Sequence, residues 1–439
     1  MPKPTKSYKI TTITGIALVV ANMIGTGAFT SLGFQLKDLS NPTVILVLWV
    51  LGGVIALSGA LSYAEIGTNI TRSGGEYAFL TKLFHPIVGY LSGWISITVG
   101  FAAPIALSAL AFVAYFPFFE LKAKLISIIV IAIITLIHTR SLMISSTFQN
   151  ISTLLKVALI LALIGIGLWQ APLFNNADLL SNSDFSNLIS PAFAIALIYV
   201  SYSYSGWNAA AYITEEFKNP KKSLPIALIG GTLLVTLLYT LLQYVFLKHV
   251  PIPELQGKLD VGTIAMRKMF GEDFGNIFGL AISLLLISGI SAMVWVGSRV
   301  TSSIAKDYPF WKFFRSNKDV IPRRALWLQF AISALLILTG TFEQILIYCG
   351  ILLTISSMAT VIGVFKLRYR YKNIPADNYK SPLFPLFQIV FIILSLWMIA
   401  YAFLNSPVEI LIGFGNILLG LATYFVSNKM NHNNNLKIK

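Results

Sequence analysis

Three features of the sequence predict an all-α polytopic membrane protein with twelve transmembrane helices. Hydrophobic residues make up 56% of the 439 and charged residues only 11%, where soluble domains carry about 25% charged. Apolar runs of the ~20 residues that cross a bilayer recur along the whole chain. The loops between them are short, so 1–439 reads as a single transmembrane domain with no sizeable soluble part.

The elements follow in order. Lys3, Lys6 and Lys9 precede the first apolar run, which extends to about Leu36. A signal peptide has a shorter core and a small-residue cleavage site, so this is an uncleaved span that starts in the cytoplasm. The second span, about 42–66, returns inside at Ala64-Glu65-Ile66-Gly67, before a polar loop with Arg72 and Gly74-Gly75-Glu76. The third, about 86–115, is expected to kink at Pro104. The fourth is about 122–138; the fifth, about 146–169, carries Lys156 in its middle. Loop 170–187 has two aspartates and no Lys or Arg, as expected outside. The sixth is about 188–214, the seventh 224–248 and the eighth 274–304, with a short amphipathic helix expected between the last two. After the basic loop 305–324 come spans at about 325–341, 343–365, 384–404 and 407–426.

The net charge of +15 follows from orientation. With both termini inside, cytoplasmic segments hold 24 of the 32 Lys and Arg, and outer segments hold 7. That is the positive-inside pattern of a multi-pass protein of the cytoplasmic membrane, and it removes the case for nucleic-acid binding. The one cysteine, Cys349, excludes an intramolecular disulfide, and four scattered histidines point away from a metal site. No nucleophile–base pair and no phosphate loop appears, so neither an enzyme nor a cofactor is expected.

Two spans are badly formed as helices. The first carries Ile24-Gly25-Thr26-Gly27, and Gly costs about 1 kcal/mol relative to Ala inside a helix. The sixth is interrupted at Ser201-Tyr202-Ser203-Tyr204-Ser205-Gly206. An opened backbone in lipid needs a polar cavity around it. Spans one and six each begin a run of five, and five is odd. Two repeats of opposite topology are therefore expected, at about 10–169 and 188–370, with 384–426 outside them. Matching interrupted helices in inverted repeats point to a transporter binding site. No residue-level repeat is visible, so this rests on topology. The half-helix after Gly27 turns its first N–H groups and positive dipole end to the cavity, which attracts a carboxylate. The Thr26 hydroxyl can add a hydrogen bond. Carbonyls at Met23, Tyr202 and Ser205 attract an ammonium. One cavity with both ends suits the zwitterion of an α-amino acid. For either break alone, close packing by small residues is the competing explanation.

These residues resemble those of the amino acid–polyamine–organocation transporters. NMIGTGAF at the first break is similar to that family's span-one motif. Tyr202 to Asn208 with Glu215-Glu216 and Asn219-Pro220, and Leu61 to Thr68 with Ser73 to Tyr77, resemble the L-amino-acid transporter branch. The resemblance implies a LeuT-like five-plus-five inverted repeat with discontinuous helices 1 and 6. It places the carboxylate site on Thr26 and Gly27 and the amino-group carbonyls on Met23, Tyr202 and Ser205; Ile24, Gly25 and Ser203, at the two breaks, complete the expected site. Tyr202 takes the place of the aromatic gate. In sodium-independent relatives a span-five lysine stands where others bind sodium, and Lys156 matches it, near Ala21 and with Tyr239 as a further matching residue.

A central charge in a span costs about 2.5–3.5 kcal/mol on insertion scales and needs a partner. No acidic residue lies at matching depth, so backbone carbonyls are the expected partners of Lys156. Two roles stay open for it, a permanent structural cation or a group that loads and releases a proton. The expected function is sodium-independent exchange of small to medium neutral L-amino acids. Proton-coupled amino acid transport and exchange of cationic amino acids or amines are the alternatives, and a membrane amino acid sensor is the non-transport one. The absence of an acidic residue marking the cavity favours neutral substrates. Expected partners are the amino acid and membrane lipid; Cys349, inside span ten, argues against a disulfide-linked subunit.

Overall fold

Helices begin where the sequence supplies a cap and a proline. Asn41 Oδ1 accepts from Thr43 N at 2.9 Å with Pro42 in the first turn. Ser190 Oγ accepts from Phe193 N at 3.1 Å ahead of Pro191, and His85 precedes Pro86 in the same way. A proline at the first helical position gives up an N–H that no helix would use. The computed structural model describes residues 10–116, 122–140, 144–172, 186–316, 321–370, 375 and 377–437. Most of the expected acidic loop 170–187 lies outside them.

The chain runs α1 (Thr12–Met23), α2 (Gly27–Gln35), α3 (Pro42–Asn69), α4 (Gly75–Leu83), α5 (Pro86–Ile95), α6 (Ala102–Tyr115), α7 (Ala123–Arg140), α8 (Ile144–Trp169) and α9 (Pro191–Ser203). It continues with α10 (Pro220–His249), α11 (Ile252–Leu255), α12 (Val261–Phe270), α13 (Glu272–Asp307), α14 (Arg323–Thr339), α15 (Phe342–Arg370), α16 (Leu386–Asn405) and α17 (Pro407–Lys437). Among the described residues nine helical stretches are long and apolar enough to cross a membrane, counting α1 with α2 and α5 with α6. The apolar part of α8, Thr153–Trp169, and α9 are shorter. The protein is thus an all-helical, multi-pass membrane protein. Among the described residues its only β pairing is the isolated bridge of Ile10 to Phe217, where Ile10 N donates to Glu216 O at 2.8 Å.

Burial sorts the helices. On α7, Leu125, Ile129, Ile133 and Leu136 stay exposed. An apolar stripe at helical spacing with no protein against it is a lipid face. On α3 and α15 most residues are buried, including Gly52, Ala56, Cys349 and Ser356.

The expected kink in the third span takes a specific form. α5 and α6 are joined by a π-helical turn, Ser96–Phe101, one turn before Pro104. Pro104 has no N–H for the carbonyl of Gly100, and the extra residue of a π-turn absorbs the loss.

Two polar ties pin the bundle. Arg368 on α15 reaches fully buried Glu65 on α3, with Nε to Oε1 at 2.6 Å and Nη2 to Oε2 at 2.8 Å, and Ser381 N also donates to Oε2. At the opposite end Lys37 Nζ lies 2.6 Å from Glu343 Oε2, and Tyr199 OH donates to Oε1 at 2.7 Å. Phe34 stacks on Phe342 beneath them, with centroids 5.5 Å apart.

Candidate functional site

The first break spans Ile24–Thr26, between the C-terminus of α1 and the N-terminus of α2. The second differs from expectation. α9 stays helical through Ser201-Tyr202-Ser203, and the opening lies at Tyr204–Asn208, followed by a 3-10 segment Ala209–Glu216. The serines do not break the helix: Ser203 Oγ returns to it, donating to Tyr199 O at 2.8 Å, and Ser201 Oγ donates outward to Met398 Sδ at 3.5 Å. Gly206 is the residue that turns the chain, at φ +103. A Cβ there would press on the carbonyl of Asn22, so the two breaks touch at this point.

Both breaks line one cavity of about 350 Å³. Met23, Ile24, Gly25, Thr26, Gly27, Tyr202, Ser203 and Ser205 border it, as do Ala21 and Lys156. The sequence-derived set is therefore brought together, with the exception of Tyr239. That side chain is fully buried behind the first break, and its OH donates to Met23 O at 2.5 Å. It fixes the carbonyl that the sequence assigns to an ammonium. Tyr202 O is also occupied, accepting from Ser205 N at 2.9 Å. The hydroxyls of Tyr202 and Thr26 lie 3.5 Å apart across the gap.

The two glycines of the first break do different things. A Cβ on Gly27 would run into Ser203 of α9, so Gly27 is there for close helix packing. A Cβ on Gly25 would meet only Met23 O, at 3.9 Å, which leaves that backbone open to the cavity.

Lys156 does not find the backbone carbonyls expected for it. Its side chain is 6% exposed, and among the described residues it makes no hydrogen bond or ion pair. It borders a small recess with Ile24, Gly25, Phe29 and α13 residues Ile282, Leu285 and Leu286. Its Nζ sits 3.5 Å from where a Cβ would stand on Gly289. The recess joins the first break to α13, and Ala21 is not part of it.

One lining residue contradicts the expectation that no acid marks the cavity. Glu76, at the start of α4, is 4% exposed and lines it. Its Oε1 accepts from Tyr63 OH at 2.5 Å, Asn208 Nδ2 at 3.0 Å and Ser357 Oγ at 3.1 Å. Its Oε2 accepts from Ser356 and, at 3.4 Å, from Ser92. Helical N–H groups at its own first turn add to this. No Lys or Arg among the described residues pairs with it. In sequence it looks like part of a polar loop; only the Gly74-Gly75 turn, with φ +124 and +57, brings it to the cavity wall. Trp295 on α13 also lines the cavity, beside Met293 and Val296.

A family model described as amino acid permease matches residues 10–426. The chain belongs to the amino acid permease family. Among curated relatives of this permease, the human (Homo sapiens) cystine/glutamate transporter is 26% identical over 95% of this chain and 85% of its own length. The Mus musculus b(0,+)-type amino acid transporter 1 is 28% identical over 94% and 86%. The Mus musculus large neutral amino acids transporter small subunit 2 is 27% identical over 94% and 80%. The permease is accordingly an amino acid transporter of the amino acid–polyamine–organocation superfamily and not an enzyme.

Proposed function

We propose that this permease is a sodium-independent exchanger of small to medium neutral L-amino acids, working by alternating access. The single observation that carries this function is the convergence on one cavity of both helix breaks and a lysine with no partner among the described residues. The open backbone at Gly25, the N-terminus of α2 and the Thr26 hydroxyl receive the carboxylate. The carbonyls of Met23, Tyr202 and Ser205 receive the ammonium, with Tyr239 holding the first in place, and Tyr202 closes over the substrate. Ile24 and Ser203 complete the wall.

Lys156 supports sodium independence. An ammonium in the recess between the first break and α13 supplies the positive charge that a bound cation would otherwise bring. Its lack of an acceptor also favours the second reading, proton-coupled transport, because only a proton then has to move. Glu76 gives exchange of cationic substrates some footing, but five donors already share its two oxygens, which favours neutral ones. Twelve spans in two inverted repeats, about 10–169 and 188–370, with α16 and α17 outside, fit the helix order. With basic loops inside, the Lys37–Glu343–Tyr199 cluster lies at the outer end of the bundle. Cys349 is fully buried in α15, which supports the absence of a disulfide-linked subunit.

A thermal-shift screen of the purified protein against the twenty amino acids tests the reading. A ligand that binds only the native state raises the apparent midpoint by mass action. Small neutral amino acids are expected to give the largest shifts. Shifts with none of the twenty, or with acidic ones alone, would contradict it.

A further inference from the structure

The cavity reaches beyond the breaks. Its wall also takes in Gly52, Ala56, Ser201, Phe391, Ser395 and Met398, which come from three helices that pack together, α3, α9 and α16, and this side of the cavity is called the lobe. The three α16 residues are all buried, so the lobe is closed on the lipid side. Three of the six wall residues, Ala56, Ser201 and Ser395, are small, Gly52 packs closely against Val200 and Tyr204, and none of the six is charged.

The hydroxyls in this lobe are unevenly matched. Ser201 Oγ donates to Met398 Sδ at 3.5 Å. Ser395 is fully buried and its Oγ has no hydrogen-bond partner among the described residues. A buried serine in a helix ordinarily returns its hydroxyl to the carbonyl four residues back. Ser62 and Thr232 do so here, at 2.8 and 2.7 Å, whereas Ser395, like Ser288 on α13 and Thr135 on α7, does not; of these three only Ser395 lines the cavity. An unmatched buried hydroxyl is costly, so its position calls for an acceptor from outside the chain.

We propose that this lobe is a side-chain subsite for an uncharged amino acid side chain bearing one hydrogen-bond acceptor, a hydroxyl or a thioether, with Ser395 as donor. A charged tip is excluded because no wall residue would compensate it. Aliphatic side chains enter the lobe but leave Ser395 unmatched. The proposal rests on the amino acid transport reading above.

L-threonine and L-valine differ by a hydroxyl for a methyl at nearly equal size, so their ratio isolates the donor. In proteoliposomes the wild type takes up threonine roughly fivefold better than valine in kcat/KM, the worth of one neutral hydrogen bond. Ser395→Ala brings the ratio close to one. Ser395→Cys, with a weaker donor of similar size, gives an intermediate ratio and decides the matter if the alanine variant does not fold. Ser395→Leu fills the lobe and lowers uptake of both. A wild-type ratio near one, or a ratio unchanged in Ser395→Ala and Ser395→Cys, means that the lobe holds water only and overturns the proposal. A wild type that moves no amino acid overturns the transport reading as well.

Discussion

Replacing Lys156 by methionine removes the ammonium and keeps most of the side chain's length and bulk. The charge sits on α8 at 6% exposure with no acceptor among the described residues. A lysine deep in a span costs about 2.5–3.5 kcal/mol on insertion scales, and partners normally recover part of that. Here no group among the described residues does. The substitution is therefore expected to stabilise the folded protein, by about 1–3 kcal/mol, while removing the cation that the first break is built around. In a domain of 150–250 residues 1 kcal/mol is worth about 2–4 °C, so a rise of about 2–6 °C is an upper range for this larger chain. The assay is the unfolding midpoint in detergent from intrinsic fluorescence, paired with amino acid uptake after reconstitution. A higher midpoint with uptake lost is the expected result. A midpoint that falls by several degrees while uptake persists would refute the reasoning, since the lysine would then be a structural pin with partners.

Gly25→Val is expected to keep the fold, because a Cβ there meets only Met23 O at 3.9 Å; the added methyls enter the cavity and the amino-acid-induced thermal shift disappears. Gly206→Ala should lose both stability and binding, by about 1–3 kcal/mol in stability, since φ +103 disfavours any side chain and the Cβ presses on Asn22; chemical or thermal denaturation measures the first and the ligand shift the second. Glu65→Gln strands Arg368, and breaking such a pair costs about 3–5 kcal/mol when fully buried; with the Arg368 side chain 26% exposed, about 2–3 kcal/mol is expected. The double variant Glu65→Gln with Arg368→Met should recover part of that loss in the same denaturation assay.

The helices and the first break were legible because their signals are local. Apolar runs, capping residues ahead of prolines and paired glycines each act within a few residues. The sequence places the second break three residues too early, because Ser201 and Ser203 look like helix breakers, while in the helix the Ser203 hydroxyl satisfies its own turn. The sequence marks Gly27 for the carboxylate site, and its neighbour Ser203 gives it a packing duty as well. What sequence could not reach depends on long-range closure. Glu76 enters the cavity only because Gly74 and Gly75 adopt positive φ and bring its carboxylate to Tyr63, Asn208 and Ser356. The lobe at Ser395 was invisible because the eleventh span carries no break and no charge. The partners assigned to Lys156 failed for a related reason: depth along a span says which groups share a level, not which ones turn toward each other.

Uptake of labelled L-alanine and L-threonine into proteoliposomes, with and without unlabelled amino acid inside and with sodium replaced by choline, tests the central claim most directly. The account predicts uptake that depends on internal amino acid and is indifferent to sodium. Uptake that collapses without sodium, or that ignores what is inside, would contradict it.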